Sequence, residues 1–228
     1  MVEGSTLLRC RTACGTGGSN PLTSAIFKSP SKYGITMAKR CFWAKLNNSL
    51  MVEYHDKEWG VPAHNDKYLF EKLLLDSAQA GLSWECILNK RENYRKAYSN
   101  FNYKKVAKYT EKDIQRLLND PGIVRNKLKI RSSIENAKFF IEIQKEFSSF
   151  DQYLWSFVNH RTIQNKIKEH RLLPAFSEES TRLSKDLKKR GFKFVGPTIV
   201  YAFMQAVGLV NDHTTDCFRY KEIKRLSS

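Results

Sequence analysis

The chain has 228 residues, 41% of them hydrophobic and 12% aromatic, enough to bury the core of one large domain or two small ones. No apolar run approaches the roughly 20 residues of a membrane-spanning helix, and five cysteines, an odd number, argue against a secreted disulfide framework and for a reducing compartment. The net charge of +16 favours nucleic acid as a partner over a membrane, and solubility or a compositional habit of the source is the plainer alternative.

The first 36 residues differ in composition from the rest of the chain. They are rich in Gly, Ser and Thr, and they contain no continuous apolar segment of a secretory signal. We interpret residues 1–36 as a disordered extension or as sequence upstream of a true start at Met37, and we assign no function to Cys10 and Cys14. Without this segment the net charge falls only from +16 to +13, so the basic character belongs to the domain predicted for residues 37–228.

The segment after Met37 combines two possible metal ligands with several aromatic residues. Cys41 and His55 form a Cys-x₁₃-His pair. Aromatic faces attract flat, cationic ligands by stacking and by cation–π forces. We expect four rings to cluster around the two segments that carry this pair: Trp43, Tyr54, Trp59 and Trp84.

From about residue 66 onward, apolar residues recur with the helical period, and strand-like alternation is scarce, with at most a short piece at residues 59–62. Ser83 and Thr110 have side chains that cap helix N-termini, whereas Gly81 and Pro121 follow predicted helix ends. The sequence therefore predicts a mainly α fold. The predicted helices cover residues 66–81, 84–101, 110–120, 126–147, 149–160, 177–191 and 197–208.

Asp76 is the single acid of the apolar segment LLLDSAQAGLSW. Such a carboxylate is either a buried functional group or a polar residue on the exposed side of its helix, and the exposed case is the commoner one. Of the remaining titratable groups, we expect His64 and His170 in solvated polar loops and Cys86 as a small core residue.

A short glycine-containing turn joins the last two predicted helices. Gly191 and Gly196 permit a tight turn, and Pro197 suits the first position of a helix, which leaves the next amides free. Those amides and the helix dipole form an anion site suited to a phosphate, to which Lys193 adds positive charge. This arrangement binds a DNA backbone without reading sequence. An ordinary αα-hairpin with a solvated basic face is equally consistent with it.

Near the C-terminus, His213 and Cys217 form a His-x₃-Cys pair, which places both side chains on one face of a helix or tight turn. With Cys41 and His55 they would make a tetrahedral set of two thiolates and two imidazoles, the pattern of structural zinc. By spacing alone, two core cysteines and two ordinary histidines are the commoner interpretation.

A series of segments, taken in order, closely resembles the DNA-3-methyladenine glycosylase I family, a bacterial branch of the helix-hairpin-helix glycosylases. The segments are CFW, YHDKEWGVP, AQAGLSW, ILNKRENYR, LWSFVNH, LSKDLKKRGFKFVGPTI, YAFMQAVGLVNDH and the following Cys217, which together span roughly residues 40–220. The resemblance implies a helix-hairpin-helix glycosylase fold with two lobes and a zinc site that joins the N- and C-terminal segments. It places Cys41, His55, His213 and Cys217 at the metal positions.

The resemblance also implies an activity in base excision repair. A monofunctional enzyme of this kind hydrolyses the N-glycosidic bond of N3-methyladenine in alkylated double-stranded DNA and leaves an abasic site. The implied protein is a monomer of the bacterial cytosol and nucleoid. Three alternatives remain open: a glycosylase with a broader range of lesions, a non-enzymatic DNA-binding module stapled by zinc, and a structural protein-interaction domain.

Residue by residue, the resemblance assigns three kinds of role. Asp76 is taken as the catalytic carboxylate, where the family often has Glu. The base-binding residues are Trp43, Tyr54 and Trp84. Leu82 matches the region that wedges into the space left by the flipped nucleotide, and Lys193, Gly196 and Thr198 belong to the hairpin that anchors the DNA backbone. Asp212 is expected to support the local structure beside the metal ligand rather than to act as a base.

Overall fold

The computed structural model describes residues 38–227. The proposed extension at residues 1–36, with its cysteine pair, lies outside the described residues. Residues 38–227 are mainly helical, as predicted, and none of their helices is long and apolar enough to cross a membrane. The helices are α1 (Ser49–Lys57), α2 (Asp66–Gln79), α3 (Trp84–Asn89), α4 (Arg91–Ala97), α5 (Tyr103–Val106), α6 (Glu111–Leu118), α7 (Lys127–Phe147), α8 (Phe150–Ser156), α9 (Glu178–Lys189), α10 (Pro197–Ala206) and α11 (Phe218–Leu226), with short 3₁₀ turns at Ser99–Phe101 and His170–Leu172.

Capping residues set the helix boundaries much as predicted. The Ser83 side chain accepts a hydrogen bond from the Cys86 amide, and Thr110 forms a capping box with Asp113. The predicted 84–101 helix is instead divided into α3, α4 and a 3₁₀ turn, because Lys90 ends one helix and begins the next. The sequence patterns did not indicate α1, α5 or α11.

The strand predicted at residues 59–62 is wrong. This stretch is a turn whose Gly60 amide donates a hydrogen bond to the carbonyl oxygen of Gln205, at 3.0 Å. Gly208, at φ +77°, lies directly against residues 61–62, where a side chain would not fit. Within residues 38–227 the strands are instead β1 (Ile163–Gln164) and β2 (Val210–Asn211), which pair in parallel.

Helix α2 occupies the centre of the domain and contacts α3, α7, α8 and α10. Its Leu69, Leu73 and Leu75 are almost fully buried in the main hydrophobic core. A second, smaller apolar cluster forms where α1 meets the C-terminal segment, and its members are Cys41, Met51, Tyr54, Trp59, Leu88 and Cys217. The last turns of α2 therefore lie between the main core and this smaller cluster.

Candidate functional site

The four predicted metal ligands come together in the smaller apolar cluster. Cys41, His55, His213 and Cys217 are all buried, and their potential ligand atoms lie within 4.8 Å of one another. The Cys217 Sγ is 3.5 Å from the His55 Nε2 and 3.5 Å from the His213 Nδ1. Two sulfur and two imidazole donors in a buried site suit a metal ion that prefers tetrahedral coordination.

The outer nitrogens of the two histidines have partners that fix the orientation of each ring. The His55 Nδ1 is 2.7 Å from the Asp56 carboxylate, and the His213 Nε2 is 3.0 Å from the carbonyl oxygen of Trp59. The remaining nitrogens, His55 Nε2 and His213 Nδ1, are those that face the sulfurs. Such outer partners are typical of metal-binding histidines. The donor set and its surroundings therefore fit a metal ion.

Local structure explains how distant segments meet at this cluster. Helix α1, capped by the Asn48 side chain, carries His55 in its last turn. His213 and Cys217 lie in a tight turn before α11, closed by a 2.8 Å hydrogen bond from the Cys217 amide to the Thr214 carbonyl oxygen. The His-x₃-Cys pair is thus presented by a turn rather than by a helix.

A cavity of about 240 Å³ lies beside this cluster. Trp43, Tyr54, Asp76 and Trp84, the four residues assigned to base binding and catalysis, all line it. The ring centres are 6.1 Å apart for Trp43 and Tyr54 and 5.0 Å apart for Tyr54 and Trp84. Trp59 also lines the cavity and packs against Trp43, with ring centres 4.8 Å apart, so the four rings predicted to cluster do so.

Asp76 is buried, with 3% of its surface exposed, so the commoner expectation of an exposed carboxylate is wrong. Burial raises the pKa of Asp76 to about 7, against the opposing influence of the Lys72 ammonium. Among the described residues, neither its Oδ2 nor the buried indole Nε1 of Trp84 has a hydrogen-bond partner. A buried acceptor and a buried donor left open in one cavity are the groups expected to bond a ligand.

A buried ionic network lies behind the Tyr54 wall of the cavity. Lys72 and Arg91 both bind the Glu58 carboxylate, at 2.8 and 2.6 Å. Although desolvation opposes it, these two cations lower the pKa of Glu58 to about 2. Arg91 also binds Glu71, at 2.7 Å. No sequence pattern indicated this network, because its members come from three separate segments.

Sequence patterns also missed several residues that line the cavity. His170 is exposed, as expected for a polar loop, yet with Leu173 it forms part of the cavity rim. The loop that carries it reaches the cavity only through the tertiary fold, so no local pattern could have indicated it. The other lining residues not predicted there are Met51, Gln79, Ala202 and Gln205.

The hairpin between α9 and α10 has the features of an anion site. Gly196 caps α10 with no side-chain cap, and a Cβ at this position would meet nothing within 4 Å. Lys193 and Thr198 are exposed beside it. The Asn136 side chain fixes the turn, accepting from the Lys193 amide at 2.9 Å and donating to the Lys193 carbonyl oxygen at 3.0 Å.

Helix α2 connects this hairpin to the cavity. Ser77, next to Asp76, donates a hydrogen bond to the carbonyl oxygen of Phe194 in the turn, at 3.3 Å. Leu82, the predicted wedge, is half-buried in the turn between α2 and α3. The hairpin and Leu82 therefore both lie close to the C-terminal end of α2, the helix that carries Asp76.

Three hydrogen bonds within the protein already engage the Asp212 carboxylate. Its carboxylate accepts hydrogen bonds from the Tyr201 hydroxyl, the Gln205 amide and the Asn165 amide, each at 2.7 Å. The residue is almost fully buried. These contacts tie β2 to α10 beside His213 and agree with a structural role.

Comparison with known proteins gives consistent matches. Residues 43–220 match the family model described as methyladenine glycosylase. The chain is 46% identical to a DNA-3-methyladenine glycosylase of Haemophilus influenzae over 181 residues, covering 79% of this chain and 97% of that protein. It is also 46% identical to DNA-3-methyladenine glycosylase 1 of Escherichia coli over 182 residues, covering 80% and 97%.

Solved structures resemble the fold closely. A crystal structure of a 3-methyladenine DNA glycosylase I superposes with a TM-score of 0.77 at 44% identity, covering 79% of this chain and 98% of that one. A variant of such an enzyme in complex with 3-methyladenine superposes with a TM-score of 0.76 at 37% identity, covering 78% and 96%.

Proposed function

Because this chain belongs to the methyladenine glycosylase family, we propose that it removes 3-methyladenine from alkylated DNA by hydrolysing the N-glycosidic bond. It is a DNA glycosylase of base excision repair, and its product is an abasic site. The observation that carries this proposal is the cavity in which the four rings of Trp43, Tyr54, Trp59 and Trp84 surround a buried carboxylate with an open oxygen.

The cavity suits a flat base that carries a positive charge. Trp43 and Tyr54 offer ring faces for stacking, and an aromatic face attracts a cation more strongly than the neutral base. The Asp76 carboxylate, when ionised, adds an opposite charge. Methylation at N3 makes the adenine of the nucleotide cationic, and this charge allows the cavity to distinguish the lesion from undamaged adenine.

The two open polar atoms match one edge of the adenine ring. Adenine presents its N6 amino group as a donor and its N7 as an acceptor along the same edge. Asp76 Oδ2 would accept from the N6 amino group, and Trp84 Nε1 would donate to N7. Both atoms lack partners among the described residues, which supports this assignment.

A cationic base is already a good leaving group, so the reaction needs little acid catalysis. As the glycosidic bond breaks, its electron pair stays on the base, and the positive charge passes to the sugar. A water molecule then adds to C1′ and loses a proton. The step requires no lysine nucleophile, and the DNA phosphates help to stabilise the sugar cation.

The base must leave the duplex before it can enter the cavity, which costs a few kcal/mol and is easiest for a damaged base. We place the DNA backbone at the α9–α10 hairpin, where the α10 amides, Lys193 and Thr198 would hold a phosphate near Gly196. Leu82 would fill the gap in the base stack. The short connection from the hairpin through Ser77 to Asp76 supports this placement.

The cysteine and histidine cluster is proposed as a structural zinc site. Cys41 and His55 from the N-terminal side and His213 and Cys217 from the C-terminal side would hold the ion. Zinc supplies a cross-link between the two ends of the domain and takes no part in the reaction. Because Tyr54 precedes His55, this cross-link would also fix one wall of the cavity. We further propose that the protein acts as a monomer on double-stranded DNA in the bacterial cytosol.

The non-enzymatic alternative, a zinc-stapled DNA-binding module, needs neither an aromatic cavity nor a buried carboxylate. The deciding experiment measures release of free 3-methyladenine from methylated duplex DNA by the full chain, with zinc content determined on the same sample. We expect release by the wild type and its loss in Asp76→Asn. Release of 7-methylguanine or hypoxanthine at comparable rates would instead indicate a broader lesion range. DNA binding with no base release would refute the enzymatic proposal.

A further inference from the structure

Lys72 is a fully buried lysine on α2, one helical turn before Asp76. Its ammonium donates a hydrogen bond to Glu58 and lies 4.5 Å from the centre of the Tyr54 ring and 5.0 Å from that of Tyr68. Lysine is almost never fully buried unless it is paired. This cation is therefore held directly behind an aromatic wall of the cavity.

The position of Lys72 allows it to act on Asp76 through space. The two residues are not hydrogen-bonded to each other among the described contacts, so the Asp76 Oδ2 stays open. A direct ion pair would occupy that oxygen. A cation within about 4–6 Å of a carboxylate nevertheless favours its ionised form. Lys72 can thus favour the charged carboxylate without competing with the ligand for it.

Burial and the Arg91 guanidinium lower the pKa of Lys72, and Glu58 opposes this shift by stabilising the charged ammonium. Its carboxylate is shared by Lys72, Arg91 and the Tyr68 hydroxyl, so the cation has a fixed partner that offsets part of its desolvation. Other titratable or charged groups also lie on the elements around Asp76. They are Tyr54 on α1, Tyr68 and Glu71 on α2, Glu85 on α3, Arg91 on α4, Lys129 on α7, Lys193 in the hairpin, Tyr201 on α10 and His170.

We propose that Lys72 is a positioning residue that holds Asp76 in its anionic form before the base enters, and so sets the lowest pH at which the cavity recognises a cationic base. This inference rests on the proposed function. Burial alone favours the protonated acid, which offers a cationic base no charge complement. The pKa of Asp76, raised to about 7 even with Lys72 present, leaves little margin at neutral pH.

The test is the pH dependence of kcat/KM, from pH 5.5 to 9.5, for release of 3-methyladenine from duplex DNA. The N3-methylated nucleotide is a fixed cation, so the acidic limb reports the free enzyme. In Lys72→Met we expect this limb to move to higher pH by about one unit, with a roughly fivefold loss at pH 7 and recovery near pH 9. Lys72→Arg keeps the charge and should restore the wild-type limb.

Glu58→Gln provides a second variant with the same expectation. It removes the partner that offsets the desolvation of Lys72, so Lys72 carries its charge over less of the pH range and the acidic limb should move to higher pH. In an Asp76→Asn background, Lys72→Met should cause no further change in the profile. Circular dichroism establishes that each variant is folded. If Lys72→Met does not fold, the direction of the Glu58→Gln shift decides.

The outcomes separate this inference from the proposed function. A wild-type protein that releases no 3-methyladenine refutes the proposed function itself. An active wild type whose acidic limb is unchanged in Lys72→Met, or is unchanged or lowered in Glu58→Gln, overturns the role of Lys72 alone. A purely structural role would lower activity equally at every pH, and that result also contradicts the inference.

Discussion

The buried carboxylate of Asp76 should reduce the stability of the protein, and Asp76→Asn should restore it. In the unfolded chain this carboxyl titrates near its ordinary value of 3.8, whereas burial raises its pKa to about 7 in the folded protein. The difference corresponds to about 4 kcal/mol, since each unit of pKa is worth about 1.4 kcal/mol. This is a large part of the stability of an ordinary domain.

The sign of the effect follows from proton binding. Between about pH 4 and pH 7 the folded protein retains a proton that the unfolded chain has released, so the free energy of unfolding falls as pH rises. Above pH 7 the Asp76 carboxyl is ionised in both the folded and the unfolded state, and the loss of stability is complete. The asparagine variant has no such titration. Its advantage over the wild type should be near zero at pH 4 and should reach about 2–4 kcal/mol at pH 8.

Urea unfolding at a series of pH values, with metal content held constant, measures this difference. Asp186→Asn is a matched control: although desolvation opposes it, the hydrogen bond from Arg190 lowers the pKa of Asp186. That variant should show no gain in stability between pH 4 and pH 8. If the Asp76→Asn advantage is flat across this range, or if the variant is less stable at pH 8, then burial does not raise the pKa of Asp76 and the reasoning fails.

Three further predictions concern the metal, the hairpin and the DNA. Cys217→Ser should abolish zinc binding and lower the free energy of unfolding by at least about 3 kcal/mol. Cys86→Ser, outside the cluster, should change neither the zinc content nor the stability. Unchanged metal content in Cys217→Ser would contradict the ligand assignment. Gly191→Ala should destabilise the fold by about 2–4 kcal/mol, because the backbone has φ +99° and a Cβ would lie 2.5 Å from the Phe139 ring. The Cβ introduced by Gly196→Ala meets no atom within 4 Å, so this variant should keep its thermal stability and bind DNA more weakly. Lys193→Ala should reduce the slope of log affinity against log salt concentration by about one, and an unchanged slope would remove Lys193 from the phosphate contact.

The helices could be predicted from the sequence where capping residues and apolar periodicity agree. Ser83 and Thr110 cap helices as predicted. The division of residues 84–101 at Lys90 could not be predicted, because the break has no proline or glycine and depends on tertiary packing. The four residues of the metal cluster were predicted from the family resemblance rather than from their spacing, since nothing local to either pair reports that the two pairs meet.

The burial of Asp76, implied by the family resemblance, could not be predicted from the local sequence pattern, for a different physical reason. Sequence patterns identify the exposed face of a helix by its polar residues. Helix α2 has no such face over its last turns, because every residue from Leu69 to Ala78 is buried. The charged residues of these turns therefore lie at buried positions. The helical period alone cannot distinguish them from charged residues on a solvated face.

The buried charged residues of α2 differ in whether all their polar atoms have a partner within the protein, and this difference identifies the site. Glu71 is bound by Arg91 and Arg95, and Lys72 is bound by Glu58. Each of these buried charges has its partner within the protein, as stability requires. Asp76 retains an unpaired oxygen in a cavity walled by aromatic rings. Because an unpaired buried charge is costly, it persists where a ligand supplies the missing partner, and a cationic base is the ligand that would do so.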